Sequence, residues 1–178
     1  MRAYANLVLT GFMGVGKTTI GRMCAQRLNY EFVDTDALLE MRSNASISQL
    51  FAEKGETEFR KMESHIVAEV AAREKHVVSC GGGVPLLQAN RQALRETGLV
   101  ILLTAPVETL LERIGSATHR PLLQAPEETR QERIQSLLEA REAAYKAIAH
   151  CKIDTSRYTM PQVVEHIITL YRTVTGMP

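Results

Sequence analysis

The sequence predicts an α/β protein: a five-stranded parallel sheet covered by helices on both faces, in a single domain over 1–178. Three observations lead there. Short apolar runs alternate along the chain with longer stretches of helical periodicity. The first apolar run leads straight into Gly11-Phe12-Met13-Gly14-Val15-Gly16-Lys17-Thr18, a complete G-x-x-x-x-G-K-[ST] phosphate-binding loop, or P-loop. A length of 178 residues suits one buried core, and no internal repeat, low-complexity stretch or linker divides it.

The elements follow in order. Residues 7–10 form the first strand. The glycines of the loop after it let the backbone curl until its N–H groups point inward at an anion. The helix 17–28 turns its positive end toward the same point. Residues 31–34 form the second strand, followed by helices 36–42, 46–51 and 56–73. The third strand, 77–79, precedes the helix 88–96, and the fourth, 99–103, precedes the helix 107–114. The segment 116–126 has little periodicity and is expected as a surface loop, a candidate lid over the phosphates at about 115–126. A helix 127–149, a fifth strand 152–154 and a helix 161–174 complete the chain. In sheets of this kind, ligands sit beyond the carboxyl ends of the strands.

Composition narrows the function. The formal net charge of +1 gives no whole-molecule field toward nucleic acid or an anionic membrane, so neither is an expected partner. No apolar run approaches the roughly twenty residues of a membrane span. Met1-Arg2-Ala3-Tyr4 lacks the long apolar core of a secretory signal, so a cytoplasmic location is expected. Cys24, Cys80 and Cys151 are far apart, without C-x-x-C spacing, and are read as small buried hydrophobes in a reducing cytosol.

The candidate chemistry clusters after the strands. In the P-loop, Gly14, Val15, Gly16, Lys17, Thr18 and Thr19 would bind the phosphates of ATP. Lys17 would act as a point charge and Thr18 as a hydroxyl for Mg²⁺. The second strand ends in Val33-Asp34-Thr35-Asp36. Asp34 suits the water shell of the metal, and Asp36 suits an acceptor hydroxyl. Alternatively, Asp36 simply caps the helix that follows. Arg60 and Glu63 are spaced i,i+3, so each can hold the other's geometry and leave Arg60 as a fork for a carboxylate. Gly81-Gly82-Gly83 follows the third strand and lets a ligand approach the main chain. Arg120 lies in the expected lid, where it would neutralise charge on the transferring phosphoryl group. His119 beside it reads as a surface residue. Arg113 would lay its guanidinium plane against adenine, and Arg157, after the last strand, would edge the purine. Arg141 and Tyr145 share a helix face at i,i+4, with Arg141 a second clamp on a carboxylate.

Taken together, these residues resemble the shikimate kinase family. The likeness runs from Leu7 to about Arg172. It is carried by the P-loop with Thr19, Asp34-Thr35-Asp36, Phe59-Arg60-x-x-Glu63, Gly81-Gly82-Gly83, Arg120-Pro121-Leu122-Leu123 and Arg141-x-x-x-Tyr145. The resemblance implies a three-layer P-loop fold like that of nucleoside monophosphate kinases. Its sheet order would be 2-3-1-4-5, with a substrate-binding region at about 36–63 and a mobile lid. It implies a monomeric enzyme whose partners are the small molecules ATP and shikimate, with Mg²⁺ as cofactor. It also implies transfer of the γ-phosphoryl group of ATP to the 3-hydroxyl of shikimate, in the pathway to chorismate and aromatic amino acids. Lys17, Asp36 and Arg120 would be catalytic. Asp36, Arg60, Gly81, Gly82, Gly83 and Arg141 would hold the substrate. Val15 departs from the small or polar residue usual at its position, and its side chain is expected to point away from the phosphates. The third strand ends Val77-Val78-Ser79-Cys80 without an Asp, which leaves the outer shell of the metal to Asp34. Another small-molecule kinase of the same fold, of the gluconate type, or a non-catalytic nucleotide-binding module remain as alternatives. The acidic Asp34-Thr35-Asp36 mouth favours a polyol over a second nucleotide.

Overall fold

A computed structural model of the chain describes residues 4–114 and 127–177. The expected lid, 115–126, with His119 and Arg120, lies outside the described residues. The strands are β1 (Asn6–Thr10), β2 (Glu31–Asp34), β3 (His76–Ser79), β4 (Gly98–Thr104) and β5 (Cys151–Asp154). They form one sheet in the order β2-β3-β1-β4-β5. Every pairing is parallel, as the alternation of strand and helix requires. The helices are α1 (Lys17–Leu28), α2 (Thr35–Ser43), α3 (Ile47–Ala71), α4 (Gln88–Thr97), α5 (Val107–Ile114), α6 (Glu127–Ile148) and α7 (Met160–Thr175).

Strand alternation divides the core between two faces. Leu7, Leu9, Val77, Leu99, Ile101 and Leu103 pack toward Ile20 and Cys24 of α1 and Val163, Ile167 and Tyr171 of α7. Val8, Val78 and Val100 point the other way, toward Phe59, Ile66 and Val70 of α3, Leu94 of α4 and Ile148 of α6. The C-terminal end of α6 is fixed by Arg95. Its guanidinium donates to the carbonyls of Ala147, Ile148 and Ala149 at 3.1, 2.8 and 2.9 Å. A cation on those last carbonyls also complements the negative end of the helix dipole.

One local feature bears out the sequence reading and two differ from it. The expected helices 46–51 and 56–73 are the two halves of α3, broken at Gly55, whose φ of 73° and ψ of 170° leave the helical region. Helix α2 begins at Thr35 because Asp34, not Asp36, is its N-cap: the Asp34 carboxylate accepts from Asp36 N and Ala37 N. A short 3₁₀ turn at Val84–Leu86, with Pro85 in its first turn, follows the triple glycine. Three residues are too few to leave a periodic signal.

Among the described residues no helix is long and apolar enough to cross a membrane. Cys24 and Cys80 are buried, and Cys151 is partly so. Burial pushes the Cys24 thiol up to about 12 and raises Cys80 and Cys151 as well. A raised thiol carries less thiolate at neutral pH and reacts more slowly. Titration of the native protein with a chromogenic disulfide at pH 7.5 (roughly a unit below a free thiol) should therefore leave Cys24 and Cys80 unmodified, and denaturant should release all three thiols. Rapid labelling of Cys80 in native protein would contradict this.

Candidate active site

Because the strands are parallel, all their carboxyl ends meet at one edge of the sheet, and the P-loop opens there after β1. Gly14 and Gly16 take φ of 83° and 93°, values that side chains oppose, and Gly16 is the N-cap of α1. Val15 turns its side chain into the core. The Lys17 ammonium is held across the loop by the carbonyls of Gly11 and Phe12, at 2.8 and 2.9 Å. Thr18 and Thr19 are exposed on the first turn of α1.

Parallel register brings the second strand's acid to the loop. Asp34 lies opposite Ser79 of β3. Its Oδ2 accepts from the Thr18 hydroxyl at 2.8 Å and from the Ser79 hydroxyl at 3.0 Å. Ser79 therefore stands at the end of β3 without supplying a carboxylate, and orients the one that β2 supplies. Thr18 and Asp34 are both hard oxygen donors, a set that suits Mg²⁺. Among the described residues no group of three His, Cys, Asp or Glu is placed to hold a metal ion. A metal here would take its remaining ligands from phosphate and water, as Mg²⁺ does.

The triple glycine makes the opposite wall. Gly81 N donates to the buried Thr35 hydroxyl at 2.8 Å. A methyl group on Gly81 would come within 2.2 Å of Asp36 Oδ1, and one on Gly83 within 2.2 Å of the Arg60 guanidinium. One on Gly82 would sit 3.4 Å from the Arg141 guanidinium. Three successive glycines thus face Asp36, Arg141 and Arg60 in turn, and both arginines lie within electrostatic reach of Glu63. A test follows from the Gly81 contact. Gly81→Ala must displace the Asp36 carboxylate, so it should lower kcat at least about tenfold, since a shift near 1 Å at a reacting group costs more than that. Gly82→Ala, with its looser contact, should do less. Equal, near-native kinetics for both variants would refute the placement.

The arginines are braced. Arg60 donates to Glu63 at 2.8 Å, and Glu63 is only 3 % exposed. Burial raises the Glu63 carboxyl despite the opposing pull of Arg60 and, more weakly, of Arg141; the charge of Asp36 adds to the rise. The Arg60 guanidinium also lies 5.6 Å from the Phe51 ring centroid and 5.3 Å from that of Phe59. Arg141 lies 5.8 Å from the ring of Phe12, a buried residue of the P-loop. Aromatic faces favour the cations and leave their outer edges to a ligand. Thr35, Ser79, Phe12 and Phe51 went unnoticed as site residues in the sequence. Only Ser79 left a usable signal, by lying opposite Asp34 once the strands are paired in register.

The two arginines expected beside a purine, Arg113 and Arg157, are less convergent. Arg113 donates to the Thr155 hydroxyl at 2.9 Å and the Thr155 carbonyl at 3.1 Å, which seats it at the end of β5. Arg157 pairs instead with Asp154 at 3.2 Å and is 75 % exposed.

Comparison with known proteins now fits this geometry. A family model described as shikimate kinase matches residues 13–172. The chain belongs to the shikimate kinase family. It is 42 % identical over 171 residues to a shikimate kinase of Caldanaerobacter subterraneus subsp. tengcongensis, covering 96 % of this chain and 98 % of that one. A solved shikimate kinase from Acinetobacter baumannii, in complex with shikimate, superposes with a TM-score of 0.89 at 34 % identity. That match covers 97 % of this chain and 95 % of the other. A gluconokinase from Sinorhizobium meliloti superposes at 0.62 with 19 % identity over 99 % of this chain and 96 % of the other, a likeness of fold alone.

Proposed function

We infer that this kinase transfers the γ-phosphoryl group of ATP to the 3-hydroxyl of shikimate, giving shikimate 3-phosphate on the route to chorismate and the aromatic amino acids. The observation that carries the reading is the convergence of Asp36, Arg60 and Arg141 on Gly81-Gly82-Gly83, at the edge of the sheet where the P-loop opens.

The P-loop amides of Gly14, Val15, Gly16, Lys17, Thr18 and Thr19 cradle the phosphates, and Lys17 exchanges its carbonyl partners for phosphate oxygens. Thr18 and, through water, Asp34 would hold Mg²⁺, which would supply positive charge against the phosphates. Arg60 and Arg141 grip the carboxylate of shikimate, and the main chain of Gly81, Gly82 and Gly83 borders the ring. Asp36 then faces the reacting hydroxyl. The hydroxyl oxygen bonds to the γ-phosphorus as the bond to ADP breaks, and the proton passes to the Asp36 carboxylate. Arg113, seated at Thr155, and Arg157 flank the adenine. The motif Arg120-Pro121-Leu122-Leu123 alone assigns Arg120 to the phosphates. Every residue in this scheme comes from one chain, so a monomer suffices, and neither nucleic acid nor membrane has a part in it.

The test is a coupled assay of ADP release with shikimate, gluconate and AMP in turn. Turnover with shikimate alone is expected. Turnover with gluconate alone would move the enzyme to a different acceptor. ATP binding without turnover on any acid would make the chain a binding module.

A further inference from the structure

The reaction described above makes no use of Tyr145, which is nevertheless buried against the acceptor pocket with its one polar atom spent there. The Tyr145 hydroxyl donates to the carbonyl of Gly82 at 2.8 Å, and the Arg141 guanidinium reaches the same oxygen at 3.4 Å. Burial raises the phenol above its ordinary value despite the pull of Arg141, so it remains a neutral donor. Both donors stand on α6, one turn apart, and Arg95 locks the end of that helix. The Gly82 carbonyl is therefore turned toward α6. In a trans peptide the carbonyl of one residue and the N–H of the next point in opposite directions. With the peptide trans, the Gly83 N–H then points away from α6. Among the described residues, the hydrogen bonds of this loop use the Gly81 N–H and the Val84 N–H but neither the Gly82 nor the Gly83 N–H.

We propose that Tyr145 is a positioning residue for the acceptor carboxylate: its hydroxyl sets the Gly82–Gly83 peptide and, through the shared carbonyl, the direction of Arg141. The proposal rests on shikimate being the acceptor. It separates two functions on one helix face. Arg141 touches the substrate, and Tyr145, one turn later, holds what touches it. A phenol suits this task because its only strong bond runs to a backbone atom and its ring fills the core behind the loop.

The experiment is Tyr145→Phe, which keeps the ring and deletes only the hydroxyl, with kinetics measured for shikimate and for its methyl ester. Losing one hydrogen bond to a buried carbonyl should raise the shikimate KM by about five- to twentyfold, with kcat within about twofold. The ATP KM should stay unchanged. With the ester, whose carboxyl carries no charge, the ratio of wild-type to variant kcat/KM should fall to near one. An unchanged shikimate KM in a variant with native melting behaviour would overturn the role of Tyr145. So would an equal loss on acid and ester, which marks general loosening of the fold. Wild-type enzyme separates the two levels: if it releases no ADP with shikimate, the function itself fails, and the proposal with it.

Discussion

Asp36→Ala is expected to lower kcat at least about a hundredfold, with the ATP KM little changed, because it removes the carboxylate proposed to receive the hydroxyl proton. The position of Asp36 is set on several sides. Asp34 caps α2 and so fixes the first turn on which Asp36 stands. Gly81 leaves room for the carboxylate, at a distance no other residue tolerates. Glu63 lies close enough for their charges to interact. Asp36→Asn separates two roles. It keeps hydrogen bonding to the hydroxyl but cannot take a proton, so a loss as deep as that of the alanine variant identifies a general base. Partial recovery with Asn identifies an orienting group. Lys17→Ala should show a fall of similar size for a different reason, the loss of charge on the phosphates during transfer. Near-native kcat in the folded Asp36→Ala protein would remove Asp36 from the chemistry.

Arg141→Ala should act on binding instead. It is expected to raise the shikimate KM by roughly a hundredfold, as truncating one partner of a well-placed charge pair does, while the ATP KM stays within a few-fold. The bracing explains the size. Arg141 is fixed by the Gly82 carbonyl and by the face of Phe12, so little of its order has to be gained on binding. Arg60→Ala should give the same pattern, with an added loss of stability because Glu63 would remain buried without its partner. Measuring shikimate KM and ATP KM together for both variants checks the assignment. A rise in the ATP KM alone would place the arginines on the nucleotide instead.

Much of this architecture is legible in the chain because its signals are local. Strand runs such as 99–103 are apolar at every position, as strands covered on both faces must be. The P-loop carries its own mechanism in its spacing. The order of strands in the sheet came from family resemblance, since apolar runs do not state their neighbours. The break in α3 rests on a single glycine, Gly55, and the pattern showed it as a gap between two helices. Asp36 was open as an alternative cap because both acids suit an N-cap, and only the backbone angles decide that Asp34 is the residue outside the helix. The site was legible by residue type and opaque by contact. Arg60 and Glu63 are adjacent on one helix, so their pairing could be read. Arg141 and Gly82 are far apart in sequence, and only the docking of α6 on the glycine loop joins them. The role of Ser79 became visible the same way, through register, and the contact of Tyr145 with Gly82 through packing.

In the proposed reaction, one hydroxyl of a carboxylate-anchored ring is held against the γ-phosphate. Proton–phosphorus correlation NMR of the product formed from ATP and shikimate tests this directly. One phosphoester is expected, with its phosphorus correlated to H-3 of the ring and formed in step with ADP. Phosphorus on another ring carbon, or ADP and free phosphate with no ester, would contradict it.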